Sequence, residues 1–195
     1  SDLNAHITAS YGRTVPFVTL PQAERDKSIG DPRGIAWNTA GDHGYISGMG
    51  SNNVIVINAN GNRIGMQPTI EVGEGPTGVA LNESTDRLYV LNKFAASVSV
   101  IDTILETELA RVPFHDPTTA AIKTGRKHHY DTHKSSGLGH IACASCHVDG
   151  KLDRLAWDLG DPSGAMKPFN QNCPAGGCQD WHPMKGPMTT QTLQD

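Results

Sequence analysis

A repeat with a period of 44 residues is the feature of this sequence that most limits its fold. DPRGIAWNTAGDHGYISGMGSNNVIVIN at 31–58 aligns without a gap to GPTGVALNESTDRLYVLNKFAASVSVID at 75–102. The matched pairs are Pro32/Pro76, Gly34/Gly78, Ala36/Ala80, Asn38/Asn82, Tyr45/Tyr89, Val54/Val98 and Ile57/Ile101. A fixed period of this length predicts one structural unit that occurs twice.

Short apolar and β-branched runs alternate with polar turns inside each repeat. The second repeat has GVALN, RLYVLN and SVSVID, separated by ESTD and KFAA. A fourth run follows each repeat, GMQPTIEV after the first and ETELARVPF after the second. The pattern predicts four short strands per unit. Four strands in about 40–45 residues is the period of a β-propeller blade.

The run YVLN at 89–92 resembles the signature of the YVTN-type propeller repeat, with Leu91 in place of threonine. This resemblance implies an incomplete β-propeller of about two blades, at about 31–74 and 75–115. Propellers close with about four to eight blades, and two blades cannot bury both of their faces. We therefore expect a fragment, or further blades or subunits from beyond this chain. A two-sheet β domain with an internal duplication is the alternative.

The character of the sequence changes near 115, where strand alternation ends. Asp116 is expected to cap a helix in TTAAIKTGRKHHY, with Pro117 at its first position. We therefore expect a mainly β domain at 1–115 and a small, mostly helical and loop domain at 116–195. The net charge is −4 without a basic patch, which argues against nucleic acid as a partner. No apolar run is long enough to span a membrane.

The motif Cys-x-x-Cys-His lies in ACASCHVDG at 142–150. Two thiols one helical turn apart, Cys143 and Cys146, suit covalent attachment of one haem c, and the adjacent His147 suits its proximal iron ligand. The alternatives are a zinc site completed by Cys173 and Cys178, a thioredoxin-like dithiol, and a plain disulfide or inert pair.

Covalent haem attachment takes place outside the cytoplasmic membrane, so a periplasmic or other extracytoplasmic location is expected. Such a compartment permits disulfides. The segment CPAGGC at 173–178 has a proline and two glycines between its cysteines, which suits a tight turn. We predict a Cys173–Cys178 disulfide.

The segment GRKHHYDTHKSSGLGHIACASCHVDGKLD at 125–153 resembles the N-terminal haem motif of bacterial di-haem cytochrome c peroxidases. KGPMTTQTL at 185–193 resembles a later segment of that family, with Gln191 in place of a proline. Together with the repeats, the chain is similar to bacterial fusions of a YVTN propeller and a cytochrome. The resemblance implies that 116–195 is a cytochrome c-type domain whose partner is a second haem domain or a redox protein.

The sixth iron ligand decides between electron transfer and peroxide chemistry. The candidates lie in WHPMKGPM at 181–188: Met188 first, with Met184 and His182 as alternatives. Four upstream histidines are expected mainly on a solvated face, with one distal ligand among them an open alternative: His128, His129, His133 and His140. One or two nearby cations are expected to pair with haem propionates: Arg126, Lys127, Lys151 and Arg154. Trp157 is expected to pack beside the haem.

Electron transfer, as part of a larger periplasmic oxidoreductase, is the function that the sequence favours. A peroxidase-like or oxidase-like enzyme is the first alternative, and no catalytic residue is assigned to it. Because 111–195 contains no glutamate, its acid–base group would be an aspartate or a histidine. A propeller-based binding or scaffold module with an accessory haem is the second alternative.

Overall fold

The computed structural model describes residues 2–7, 20–158 and 187–194. These residues are mostly β, with two four-stranded antiparallel sheets. Sheet I contains β1 Pro32–Trp37, β2 Gly44–Gly48, β3 Asn53–Ile57 and β4 Ile70–Glu71. Sheet II contains β5 Pro76–Asn82, β6 Arg87–Asn92, β7 Ser97–Asp102 and β8 Thr107–Pro113. The prediction of four strands per repeat is confirmed.

The two sheets share one strand register, offset by the repeat. Tyr45 lies opposite Ala36 in sheet I, and Tyr89 lies opposite Ala80 in sheet II. Both first strands have a register irregularity immediately after their first residue. The side-chain alternation of a strand fixes which residues share a face, so equivalent positions of the two repeats lie on equivalent faces.

The fourth strands depart from this equivalence. Asn53 pairs with Glu71 in sheet I, whereas Ser97 pairs with Pro113 rather than with His115, which the repeat would place there. The run GMQPTIEV forms only the two-residue strand β4, which begins two residues after Pro68.

Two hydrophobic clusters lie on the two faces of sheet I. The first joins the sheets face to face and contains Tyr45, Val54, Val56, Ile70, Val72, Leu88, Val90 and Ile101. The second contains Ile46, Ile55 and Ile57 of sheet I with Ile29, and Leu3 packs against it. Leu3 and Ile29 cover this face of the sheet. Arg63 holds both stretches of chain in place by donating to the carbonyl oxygens of Leu3 and Lys27, both at 2.7 Å.

The helices that lie wholly within the described residues are α1 Gln22–Arg25, α2 Ala120–Tyr130, α3 Thr132–Ser135 and α4 Cys143–Cys146, with 3-10 turns at Glu83–Thr85 and Val148–Gly150. Two short strands, β9 Ala156–Asp158 and β10 Pro187–Thr189, form an antiparallel pair. This pair was not expected from the sequence. No helix in the described part of the chain is long and apolar enough to cross a membrane.

Helix α2 begins later than the sequence predicts. The carboxylate of Asp116 accepts the N–H of Thr118 at 2.9 Å and pairs with Lys123 at 3.0 Å. The helix then starts at Ala120, after Thr119. The expected helix over TTAAIKTGRKHHY therefore forms from Ala120 onward. The predicted roles of Asp116 as the cap and Pro117 as the first helical residue are wrong, because the Asp116 carboxylate stabilises a turn that lies before the helix.

Contacts divide the chain into two compact units, 1–145 and 146–195. The division lies downstream of the change in composition near 115, because α3 docks on sheet I. Thr132 is fully buried, and its N–H donates to the carbonyl oxygen of Gly50 at 2.8 Å. Its side chain fills the space that a Cβ would need at Gly30 or Gly50. The assignment of 116–195 to one cytochrome c-type domain stays a prediction.

Candidate functional site

Helix α4 is a single turn that contains both cysteines of the Cys-x-x-Cys-His motif, Cys143 and Cys146. Ser145 organises its start: its backbone N–H donates to the carbonyl oxygen of Ala142, and its Oγ accepts the N–H of Ala142, both at 3.0 Å. The first bond closes the turn, and the second gives the Ala142 N–H an acceptor at the start of the helix. Ser145 is a supporting residue that the sequence analysis missed, because an alanine followed three residues later by a serine is not a capping-box pattern.

Both thiols of α4 are free in the structure; Cys143 is exposed and Cys146 is half-buried. Burial raises the pKa of the Cys146 thiol, and the negative charge of Asp153 adds to this effect. A raised pKa keeps the thiol protonated at neutral pH. Reactive dithiols show the opposite shift, so the arrangement does not favour the thioredoxin-like alternative.

His147 follows α4 directly and is half-buried. The 3-10 turn Val148–Gly150 bends the chain back beneath it, and the N–H of Gly150 donates to the carbonyl oxygen of His147 at 3.0 Å. Asp149 has a positive φ of 52° within this turn, and Gly150 has one of 74°. These left-handed conformations make the bend tight, and glycine adopts them at little cost.

The C-terminal residues run beside the loop that follows His147. The N–H of Leu193 donates to the carbonyl oxygen of Gly150 at 2.9 Å. In the β9–β10 pair, Met188 lies opposite Trp157. The segment that contains Met188 is thus hydrogen-bonded within the same compact unit as His147. His182, Met184, Cys173 and Cys178 lie outside the described residues.

Large aliphatic side chains are exposed in the unit that begins at Cys146. They are Val148, Leu152, Leu155 and Leu193, each at least 42% exposed. Both hydrophobic clusters lie entirely in the first unit. The described part of the second unit therefore holds apolar surface that its own side chains do not cover.

The upstream histidines occupy different surroundings. His128 is exposed, and the ring of His129 packs edge-on against Tyr130 at 4.8 Å. His133 contacts the carbonyl oxygen of Ser28 through Nε2 at 3.0 Å, which ties α3 to the segment before sheet I. Nδ1 of His140 is buried without a hydrogen-bond partner among the described residues.

The four cations near the Cys-x-x-Cys-His motif have two kinds of surroundings. Arg126 lies over the ring of Phe94 at 5.2 Å, and Lys127 forms an ion pair with Glu74 at 2.9 Å. Lys151 and Arg154 are exposed. The structure thus gives Arg126 and Lys127 partners within the first unit.

Residues 2–7, 20–158 and 187–194 contain no group of three His, Cys, Asp or Glu side chains placed to hold a metal ion. The zinc alternative needs Cys173 and Cys178, which these ranges do not include. It remains a separate hypothesis.

No protein-family model and no curated protein matches this chain. Similar solved structures include Kuenenia stuttgartiensis hydrazine synthase, with 22% identity and a TM-score of 0.42 over 55% of this chain and 28% of that chain. A chain of a nidogen/laminin complex has 19% identity and a TM-score of 0.38 over 45% of this chain and 32% of that chain. Kluyveromyces lactis Hsv2 has 12% identity and a TM-score of 0.33 over 45% of this chain and 26% of that chain. The matched region spans under a third of each of these proteins, and likenesses at these scores carry no argument about function.

Proposed function

We propose that Cys143 and Cys146 attach one haem c covalently and that the protein transfers electrons. The observation that supports this most is α4 itself, in which two free thiols lie at the two ends of one helical turn and His147 comes next. Each thiol would add across one vinyl group of the haem, forming a C–S bond and placing the hydrogen on the neighbouring carbon. His147 would supply the proximal nitrogen ligand.

The surrounding residues fit such a group. A macrocycle with a large apolar surface would cover exposed side chains such as Val148, Leu152 and Leu155, which otherwise remain in contact with water. Lys151 and Arg154 are the cations in the described part of the second unit, and both are exposed, so they would be able to pair with a propionate.

Bound haem supplies reversible one-electron chemistry, and the residues of the chain set its ligands and exclude water. Met188 is our proposed sixth ligand, because its strand is hydrogen-bonded to β9 and the chain after it returns to Gly150. Met184 and His182 are the alternatives. A thioether on the sixth position favours an electron carrier over an enzyme with an open iron site.

We further propose that sheets I and II are two blades of a β-propeller and that the protein works outside the cytoplasm. The common register and the face-to-face packing of the sheets support the blade assignment. The location follows from the proposed covalent haem attachment and rests on it.

Visible spectra of protein expressed together with the haem-attachment machinery test the function. We expect a low-spin spectrum, a c-type pyridine haemochrome and the weak red band of Fe(III)–Met ligation. The Cys143→Ala/Cys146→Ala double variant should lose covalent haem, whereas Cys178→Ala, the matched cysteine control, should keep it. Met188→Ala should become high-spin.

Three outcomes would change the proposal. Absence of a Soret band would overturn it, and zinc analysis of the same sample would then test the zinc alternative. A high-spin spectrum in the unsubstituted protein would favour the peroxidase-like alternative. A low-spin Met188→Ala variant would transfer the ligand role to Met184 or His182.

A further inference from the structure

A cavity of about 340 Å³ lies in the first compact unit, between the N-terminal residues, Lys27 and the loop that joins β3 to β4. Most of its lining surface is apolar, and Leu3, Ala5 and Pro68 contribute to it. Four ionisable residues also line it: Asp2, His6, Lys27 and Arg63. A mainly apolar cavity with a few polar groups is the usual form of a small-molecule site.

The cavity occurs where the two repeats differ. Arg63 occupies the repeat position of Thr107. Thr107 begins the seven-residue strand β8, whereas Arg63 makes only an isolated bridge to Ile57. The fourth strand of sheet I is reduced to Ile70–Glu71, and the loop before it brings Arg63 and Pro68 to the cavity. A local departure from a repeated pattern is where a functional site is expected.

The guanidinium of Arg63 is held by neutral acceptors. Its Nε and Nη1 donate to the carbonyl oxygens of Leu3, Lys27 and Pro68 at 2.7 to 3.0 Å. Its Nη2 donates to the side-chain oxygen of Asn4 at 3.1 Å. A guanidinium has five N–H groups, so one N–H of Nη2 is left without an acceptor among the described residues.

The charges around Arg63 compensate it only in part. Lys27 is already paired with Glu24, at 2.7 Å. Burial and the positive charge of Arg63 lower the pKa of His6, so its ring is uncharged at neutral pH. Burial lowers the pKa of Arg63 to about 10, and the negative charge of Asp2 offsets part of this effect. Arg63 is thus charged at neutral pH in surroundings that favour the approach of an anion.

We propose that this cavity binds a small organic carboxylate. The remaining N–H of Arg63 Nη2 and the ammonium of Lys27 hold the carboxylate group. Leu3, Ala5 and Pro68 contact its apolar body. Residues 8–19, which follow the N-terminal segment, contain no Asp or Glu, so their side chains do not supply the carboxylate. The proposal involves no residue of the Cys-x-x-Cys-His motif and does not depend on haem.

Benzoate is a suitable probe, because it joins a carboxylate to an apolar ring, and benzamide is a neutral compound of nearly the same shape. Each is titrated into the full chain, labelled with ¹⁵N, and binding is followed by NMR. We expect benzoate to shift the amide signals of Leu3, Ala5 and Asn62, with a Kd of about 1 mM for a probe of about nine non-hydrogen atoms. Benzamide should bind about ten-fold more weakly, because it forms no charge-assisted hydrogen bond.

Two substitutions test the cavity and leave Arg63 in place. Ala5 is exposed, so Ala5→Phe should be tolerated by the fold and should abolish benzoate binding by filling the cavity. Lys27→Gln should weaken binding about three-fold, because it removes one of the two cations. Lys134→Gln is the matched control, since Lys134 also pairs with a carboxylate three residues before it, Asp131, but does not line the cavity. It should leave the affinity unchanged.

Arg63→Gln should also abolish benzoate binding, but it removes bonds that hold the N-terminal segment. Circular dichroism therefore checks its folding, and Ala5→Phe and Lys27→Gln decide the matter if Arg63→Gln does not fold.

Four results would overturn the proposal. They are absence of benzoate binding at about ten times the expected Kd, equal affinities for benzoate and benzamide, unchanged binding in Ala5→Phe, and equal effects of Lys27→Gln and Lys134→Gln. Haem spectra do not enter these measurements, so failure here leaves the proposed function standing.

Discussion

Sheets I and II have the same register but different surroundings. The central strands of sheet I, β2 and β3, are buried at every residue, whereas those of sheet II alternate between buried and more exposed positions. Local sequence fixes the register in both. The elements that pack on each sheet then decide how much an equivalent residue contributes to the free energy of unfolding. Equivalent residues of the two sheets therefore serve as matched controls for one another.

The largest contrast is expected at the equivalent glycines Gly34 and Gly78. A Cβ at Gly34 would overlap the backbone carbonyl oxygen of Thr77 in sheet II, and a backbone atom moves only at high cost. Gly34→Ala should lower the free energy of unfolding by about 3 kcal/mol. A Cβ at Gly78 would meet Leu91 at 3.5 Å, an ordinary contact. Gly78→Ala should raise stability by about 0.5 kcal/mol, because glycine weakens a strand.

Urea unfolding followed by far-UV circular dichroism measures both variants. Equal losses of stability at the two positions would contradict the packing of sheet I on sheet II.

A smaller contrast is expected at Val54 and Val98. Val54 is completely buried between the sheets, while Val98 is half-buried on the side of sheet II that faces away from sheet I. Val54→Ala should cost about 2 kcal/mol of unfolding free energy, and Val98→Ala about 1 kcal/mol or less. The same unfolding experiment compares them.

The smallest contrast concerns the turns that follow the third strands. Asn58 accepts the N–H groups of Asn60 and Asn62 through its side-chain oxygen, and Asp102, its equivalent, accepts those of Leu105 and Ile104. The bond from Leu105, supported by the bond from Ile104 and by Arg87, holds the pKa of Asp102 below its usual value of 3.8. One turn is thus fixed by a neutral group and the other by an ionised one.

Asp102→Asn should remove a pH-dependent part of stability. Since the folded pKa is lowered, the carboxylate contributes above pH 3.8 and loses its contribution as the pH falls through the folded value. The difference in unfolding free energy between the protein and the variant should therefore shrink between pH 5 and pH 2. A difference that stays constant over this range would contradict the role of the Asp102 carboxylate. Asn58→Ala should show no such dependence on pH.

The sequence predicts much of the sheets because their information is local. Runs of β-branched residues and turn residues place RLYVLN and SVSVID on strands that the structure gives the same bounds. The docking of Thr132 on Gly30 and Gly50 was not predicted. It depends on two glycines about 80 to 100 residues away in the chain, and no periodicity connects them to α3.

In the candidate site, too, the features that depend on neighbouring residues were predicted and those that join distant segments were not. The helical turn of Cys143 and Cys146 follows from five consecutive residues, and the structure contains it. The pairing of Met188 with Trp157 joins segments about 30 residues apart and could not be read from either one. The identity of the sixth ligand and the Cys173–Cys178 disulfide stay predictions, as do haem binding and location.

The docking of Thr132 has a consequence for the order of folding. Each sheet joins strands that are neighbours in the chain, so its closing loops are short and cost little entropy. The bond from the Thr132 N–H to Gly50 closes a loop of about 80 residues, and the glycine gap that receives its side chain exists only once sheet I has formed. We infer that the sheets form first and that α3 attaches to a finished surface. Pulse-labelling should find the β2 and β3 amides protected before that of Thr132.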